Sequence, residues 1–201
     1  MTTTSSEHPL DVASAIALAV EAYQGDDNLG VFLDRLRHLA GSASPESLIQ
    51  AAEPYRDAPE VVIPLYEQVV ASRPDDARAL VVLANAYWLS GRGPETVGEL
   101  ASRALAVDPS NRAAWHLWAL AESRVRQRVE KWQQVAERFP DDQLARAALA
   151  DNAASLAGAE RDPLALDLAI ATYQGLLAEA TAPAQRSALE NAIKTLRGWR
   201  V

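Results

Sequence analysis

The chain of 201 residues contains no cysteine. Disulfide staples, thiolate metal sites and cysteine nucleophiles are therefore excluded. A reducing, cytoplasmic setting is the expectation. No segment approaches the roughly 18 apolar residues of a membrane-spanning helix. Val12 to Val20 is apolar enough for the core of an export signal, but no Lys or Arg precedes it, the first base being Arg35, so no export is expected. Strand patterning is also missing: Val61-Val62-Ile63 is short and bracketed by Pro59 and Pro64. The three histidines, His8, His38 and His116, are not at metal-ligand spacing. No glycine-rich phosphate loop, nucleophile elbow or zinc-hydrolase signature occurs. The expectation is a non-catalytic protein with no cofactor and no metal.

A basic surplus is lacking as well. The net charge is −8, which argues against nucleic acid as a partner. The acidity is uneven: residues 1–76 hold 13 acids against 4 bases, and the remainder is nearly balanced. Such an acidic third can serve solubility or select a basic partner. Seventeen arginines to two lysines, with abundant alanine, point to a GC-rich bacterial genome.

What is present is punctuation. Arg73-Pro74-Asp75-Asp76, Asp108-Pro109-Ser110-Asn111 and Phe139-Pro140-Asp141-Asp142 each separate two apolar helical stretches, and their prolines lie 35 and 31 residues apart. A stop recurring at that period marks an array of helical hairpins. Ser44-Pro45, Gly93-Pro94 and Asp162-Pro163 place a capping residue before a proline at the first helical position, and Pro183 is read in the same way. Asp75-Asp76 and Asp141-Asp142 resemble catalytic carboxylate pairs, but their place before helices makes them N-caps. Apolar stripes such as Leu29, Phe32, Leu33 and Leu36 have helical spacing. Eleven helices are expected, near 9–24, 28–40, 45–53, 59–72, 77–90, 94–107, 111–124, 127–139, 142–157, 163–179 and 183–198. Pro64 falls inside the fourth and should kink it or delay its start.

The residues within the hairpins resemble the tetratricopeptide (TPR) pattern. Leu80-x2-Leu83-Ala84-x2-Tyr87 fills the first half of one repeat, and Val97, Ala101, Ala104 and Pro109 fill its second half. Trp115-x2-Trp118-Ala119 opens the next, which closes on Trp132 and Pro140. Arg146-x2-Leu149-Ala150-x2-Ala153 opens a third, closing on Ala169-x3-Tyr173. The small Ala84, Ala119 and Ala150 let paired helices approach closely. The resemblance implies an all-α, right-handed superhelix of antiparallel hairpins. It divides into a disordered stub at 1–7, an N-terminal helical cap at 8–44, TPR-like repeats at 45–181 and a capping helix at 182–201. The match is degenerate. No Gly or Pro occurs from Asn111 to Phe139, and Trp118, Ala121, Val125, Val129, Trp132, Val135 and Phe139 keep helical spacing through the expected turn. Two helices with a tight turn, or one long helix, are both open.

By resemblance the first helices line a concave groove. Its positions here are Arg78, Val81, Asn85 and Trp88, then Ala113, His116, Leu120 and Ser123, then Leu144, Ala147, Asp151 and Ala154. A protein or peptide segment with apolar anchors is the implied partner, and Trp88 is the candidate anchor. The carboxylate clamp of some family members is not carried over. Only Asn85 matches it, while Val81, Leu117, Leu144 and Ala148 stand at the other positions. Arg124, Arg126, Arg128 and Lys131 form the densest basic run, a candidate patch for an acidic partner or a solvated face beside Glu122 and Glu130. Two other functions stay open. One is a homo-oligomeric scaffold using the apolar first helix (Val12, Ala15, Ile16, Leu18, Ala19) or an uncovered repeat end. The other is a helical small-molecule binder or enzyme.

Overall fold

Seven of the described helices begin on a side-chain oxygen that accepts a backbone N–H of the first turn, each such cap contributing about 1 kcal/mol. The computed structural model describes residues 11–199, the Asp26 side chain excepted. The expected stub at 1–7 and His8 lie outside that range. The described residues fall into two compact units divided between Pro109 and Ser110.

Unit 1 contains α1 (Val12–Asp26), α2 (Leu29–Ser42), α3 (Pro45–Ala52), a 3-10 turn (Glu53–Tyr55), α4 (Pro59–Ser72), α5 (Ala77–Leu89) and α6 (Pro94–Val107). Asp11, Asn28, Ser44 and Asp76 cap α1, α2, α3 and α5. Helix α1 packs on α2 and α3, α2 and α3 on α4, and α4, α5 and α6 in sequence. Ile16 and Ala19 of α1 are buried inside this unit, so two of the five residues in the apolar stripe that suggested an oligomer interface already have partners in their own chain. Pro64 sits within α4, yet the helix starts at Pro59 without delay. Its eight buried side chains, Val61 to Tyr66 with Val69 and Val70, hold the helix despite the hydrogen bond that proline removes.

Unit 2 contains α7 (Arg112–Leu120), α8 (Val125–Arg138), α9 (Gln143–Glu160), α10 (Pro163–Glu179) and α11 (Pro183–Arg197). Neighbours in sequence pack as neighbours in space, α7 on α8, α8 on α9, α9 on α10 and α10 on α11. Asn111, Asp142 and Asp162 cap α7, α9 and α10. The last residue of each recurring stop, Asp76, Asn111 or Asp142, is therefore the cap of the helix that follows. The first residue, Arg73, Asp108 or Phe139, closes the helix before it with an N–H to the fourth residue back.

The segment 111–139 is a hairpin, so the long-helix alternative is set aside. The turn comes earlier than the sequence suggested: α7 ends at Leu120 and α8 starts at Val125. Helix α9 runs on through Gly158, where a turn was expected. It stops at Arg161, which takes a left-handed conformation at φ 52°. A side chain there costs about 1–2 kcal/mol relative to ordinary helix geometry. Ala84, Ala119 and Ala150 are fully buried, as close helix approach requires.

Candidate functional site

Helix α5 turns Ala79, Leu80, Leu83, Ala84, Ala86 and Tyr87 into the core of unit 1. The remaining stripe holds Arg78 and Asn85, which are exposed, Val81, which is half-buried, and Trp88, at 38% exposure. Leu89 continues this face and is more exposed still. The helix is fixed from behind. Tyr87 donates its hydroxyl to Glu67 at 2.7 Å, Arg92 donates to the same oxygen at 3.1 Å, and the Arg92 guanidinium lies 4.3 Å from the centre of the Tyr87 ring. Burial, with the Glu67 bond second, pushes the Tyr87 phenol up to about 12, so the tyrosine acts here as a donor.

The candidate positions in unit 2 behave differently. His116 Nε2 lies 2.7 Å from Asp142 Oδ2, and its ring meets Trp132 edge to face with centroids 5.4 Å apart. Asp142, at 5% exposure, is the buried charged side chain of the described residues. Burial works to raise its pKa. The Ala145 N–H, the His116 contact and the nearby Arg112 outweigh that and hold it below the ordinary carboxylate value. Leu120 packs against the apolar core of the unit. Asp151 accepts the Tyr173 hydroxyl. Ala147 and Ala154 are half-buried, whereas Ala113, Ser123 and Leu144 are exposed.

The basic run fastens the α7–α8 turn. Glu122 lies at its centre with a side chain only 11% exposed. One carboxylate oxygen accepts the Arg124 N–H and Nε, each at 3.1 Å, and the other pairs with Lys131 Nζ at 3.2 Å. Arg128 donates to the Glu122 carbonyl at 3.1 Å and to Asn152 Oδ1 at 2.7 Å. Lys131 also lies 4.5 Å from the Trp118 ring centre. Arg126 reaches Glu160 at 2.5 Å and Asp162 at 3.0 Å. The Arg124 side-chain and backbone bonds, with Lys131, hold the Glu122 carboxyl down to about 2. All four cations thus have partners inside unit 2, although Arg124 and Arg126 remain largely solvated. The run's sequence shows four like charges; the acids that answer them at 160 and 162 are far along the chain.

Among the described residues no cluster of His, Asp and Glu could hold a metal, and no helix is long and apolar enough to cross a membrane.

No family model and no curated protein matches the sequence. Solved structures do. The crystal structure of MamA aligns with a TM-score of 0.57 at 15% identity, over 82% of this chain and 88% of that one. TTC0263, a thermophilic TPR protein of Thermus thermophilus, aligns at 0.54 and 19% identity, over 92% and 98%. A tetratricopeptide repeat protein from Parabacteroides merdae aligns at 0.57 and 14% identity, over 96% and 75%. The chain has a TPR-like fold. Helices α5 and α6, α7 and α8, and α9 and α10 pack as adjacent pairs. At these identities the TPR likeness concerns the fold.

Proposed function

We propose that the protein is a non-catalytic interaction adaptor whose α5 face receives an extended or helical segment of a protein partner. The observation that supports this most is Trp88. A large aromatic side chain at 38% exposure stands in line with Arg78, Val81 and Asn85 on a helix whose other faces are packed. Exposed tryptophans of this kind are typical anchors of binding energy. The partner segment would carry an apolar residue for Trp88 and Val81 and a hydrogen-bonding group for Asn85. In unit 2, His116, Leu120 and Asp151 already serve the unit's own packing.

Affinity purification from the native host, followed by binding measurements with Trp88→Ala and Asn85→Ala, tests the reading. Both variants should keep the helical circular dichroism of the parent and bind the recovered partner at least about tenfold more weakly. Unchanged binding in both would remove α5 as the docking face.

A further inference from the structure

Arg161 is a side chain in a costly place. It ends α9 at φ 52°, a position that glycine fills most readily. Its guanidinium makes no hydrogen bond or ion pair with another described residue. It borders a half-open cleft of about 770 Å³ in unit 2, within the size range of small-ligand sites. Ala157, Pro163 and Leu166 give that cleft an apolar floor. Trp199, 49% exposed, forms its wall. The indole packs beside Gly158, where a Cβ would stand in ordinary contact 3.5 Å from the ring.

Two acids share the rim. Asp162 is engaged by Arg126 and by the N–H groups of Leu164 and Ala165, and Asp167 is itself partnered. Among the described residues, the uncommitted charge in the cleft is the cation. We propose that this cleft binds a flat aromatic carboxylate, its ring against Trp199 and Leu166 and its carboxylate paired with Arg161. The site belongs to unit 2 and the α5 face to unit 1, so this inference and the adaptor reading stand or fall separately.

Calorimetric titration of the full chain with 2-naphthoate tests it. Saturable binding with Kd of about 1 mM or tighter is expected for a ligand of that size. The neutral 2-naphthamide should bind at least about tenfold more weakly, and Trp199→Ala should abolish saturation. Arg161→Gly is the informative variant, because it removes the charge and also relieves the left-handed backbone. Its Tm should match or exceed that of the parent, while affinity for 2-naphthoate falls at least about tenfold. A peptide ending in a free tryptophan carboxylate, run beside its amidated form, separates a chain terminus from a free acid, and preference for either carboxylate upholds the site. No saturation up to about 10 mM for any of these carboxylates, or equal binding of acid and amide, overturns the proposal. So does full affinity in Arg161→Gly.

Discussion

His116 Nε2 and Asp142 Oδ2 meet at 2.7 Å, joining the middle of α7 to the start of α9 across 26 residues of sequence. The same carboxylate group caps α9 through the Ala145 N–H at 3.0 Å, so one buried acid sets both the start of a helix and its distance from another. Asp142→Ala should cost about 2–3 kcal/mol, combining a lost cap with a lost charged hydrogen bond. Asp142→Asn, which can still cap, should cost less. Urea unfolding of the two variants against the parent measures the difference.

Glu122 gives a pH signature. Its folded-state value, about 2, lies below the ordinary 4.5, so folding favours the ionised form. Its contribution is complete above pH 4.5 and is lost as pH falls from there toward 2. Glu122→Gln should lower stability by about 1–2 kcal/mol at pH 7. It should also flatten the fall of unfolding free energy between about pH 4.5 and 2. A parallel fall in parent and variant would show that the carboxylate does not act through this network.

Two tryptophans should respond in opposite ways. Trp132 is 5% exposed within the unit 2 core, and Trp132→Ala should cost about 3–5 kcal/mol. Trp88→Ala should leave stability within about 1 kcal/mol of the parent while weakening partner binding. Thermal unfolding separates the two.

Ala84, Ala119 and Ala150 have no free surface. Replacing any one by leucine adds side-chain volume where two helices touch, at a cost of about 1–3 kcal/mol from overpacking. Ala106, exposed on α6, is the control position, where leucine should be nearly neutral. Differential scanning calorimetry of the four variants checks this.

Most helix boundaries were legible because they rest on local chemistry. Pro45, Pro59, Pro94, Pro163 and Pro183 all stand at helix starts, and Asp76, Asn111 and Asp142 cap as their sequence positions imply. The α7–α8 turn was harder to place. Its residues keep helical spacing, and the turn is fastened by Glu122, which accepts from Arg124 and pairs with Lys131. The roles of Arg126 and Arg128 were hidden for a related reason, since Glu160, Asp162 and Asn152 lie 24 to 36 residues further on. The candidate groove positions came from repeat numbering, which does not say which of them are engaged at home. His116, Leu120 and Asp151 prove to have intramolecular partners, whereas Arg78, Asn85 and Trp88 are exposed. Nothing in the sequence pointed to Arg161, because a positive φ outside glycine leaves no pattern.

The α7–α8 connection contains neither glycine nor proline. A turn built on backbone permissiveness keeps its geometry in any buffer. One built on a carboxylate surrounded by cations responds to the medium: protons neutralise it and salt screens its solvated members. The α7–α8 turn thus carries ionic contacts that the medium weakens, and this hairpin should loosen in acid or brine before its neighbours do.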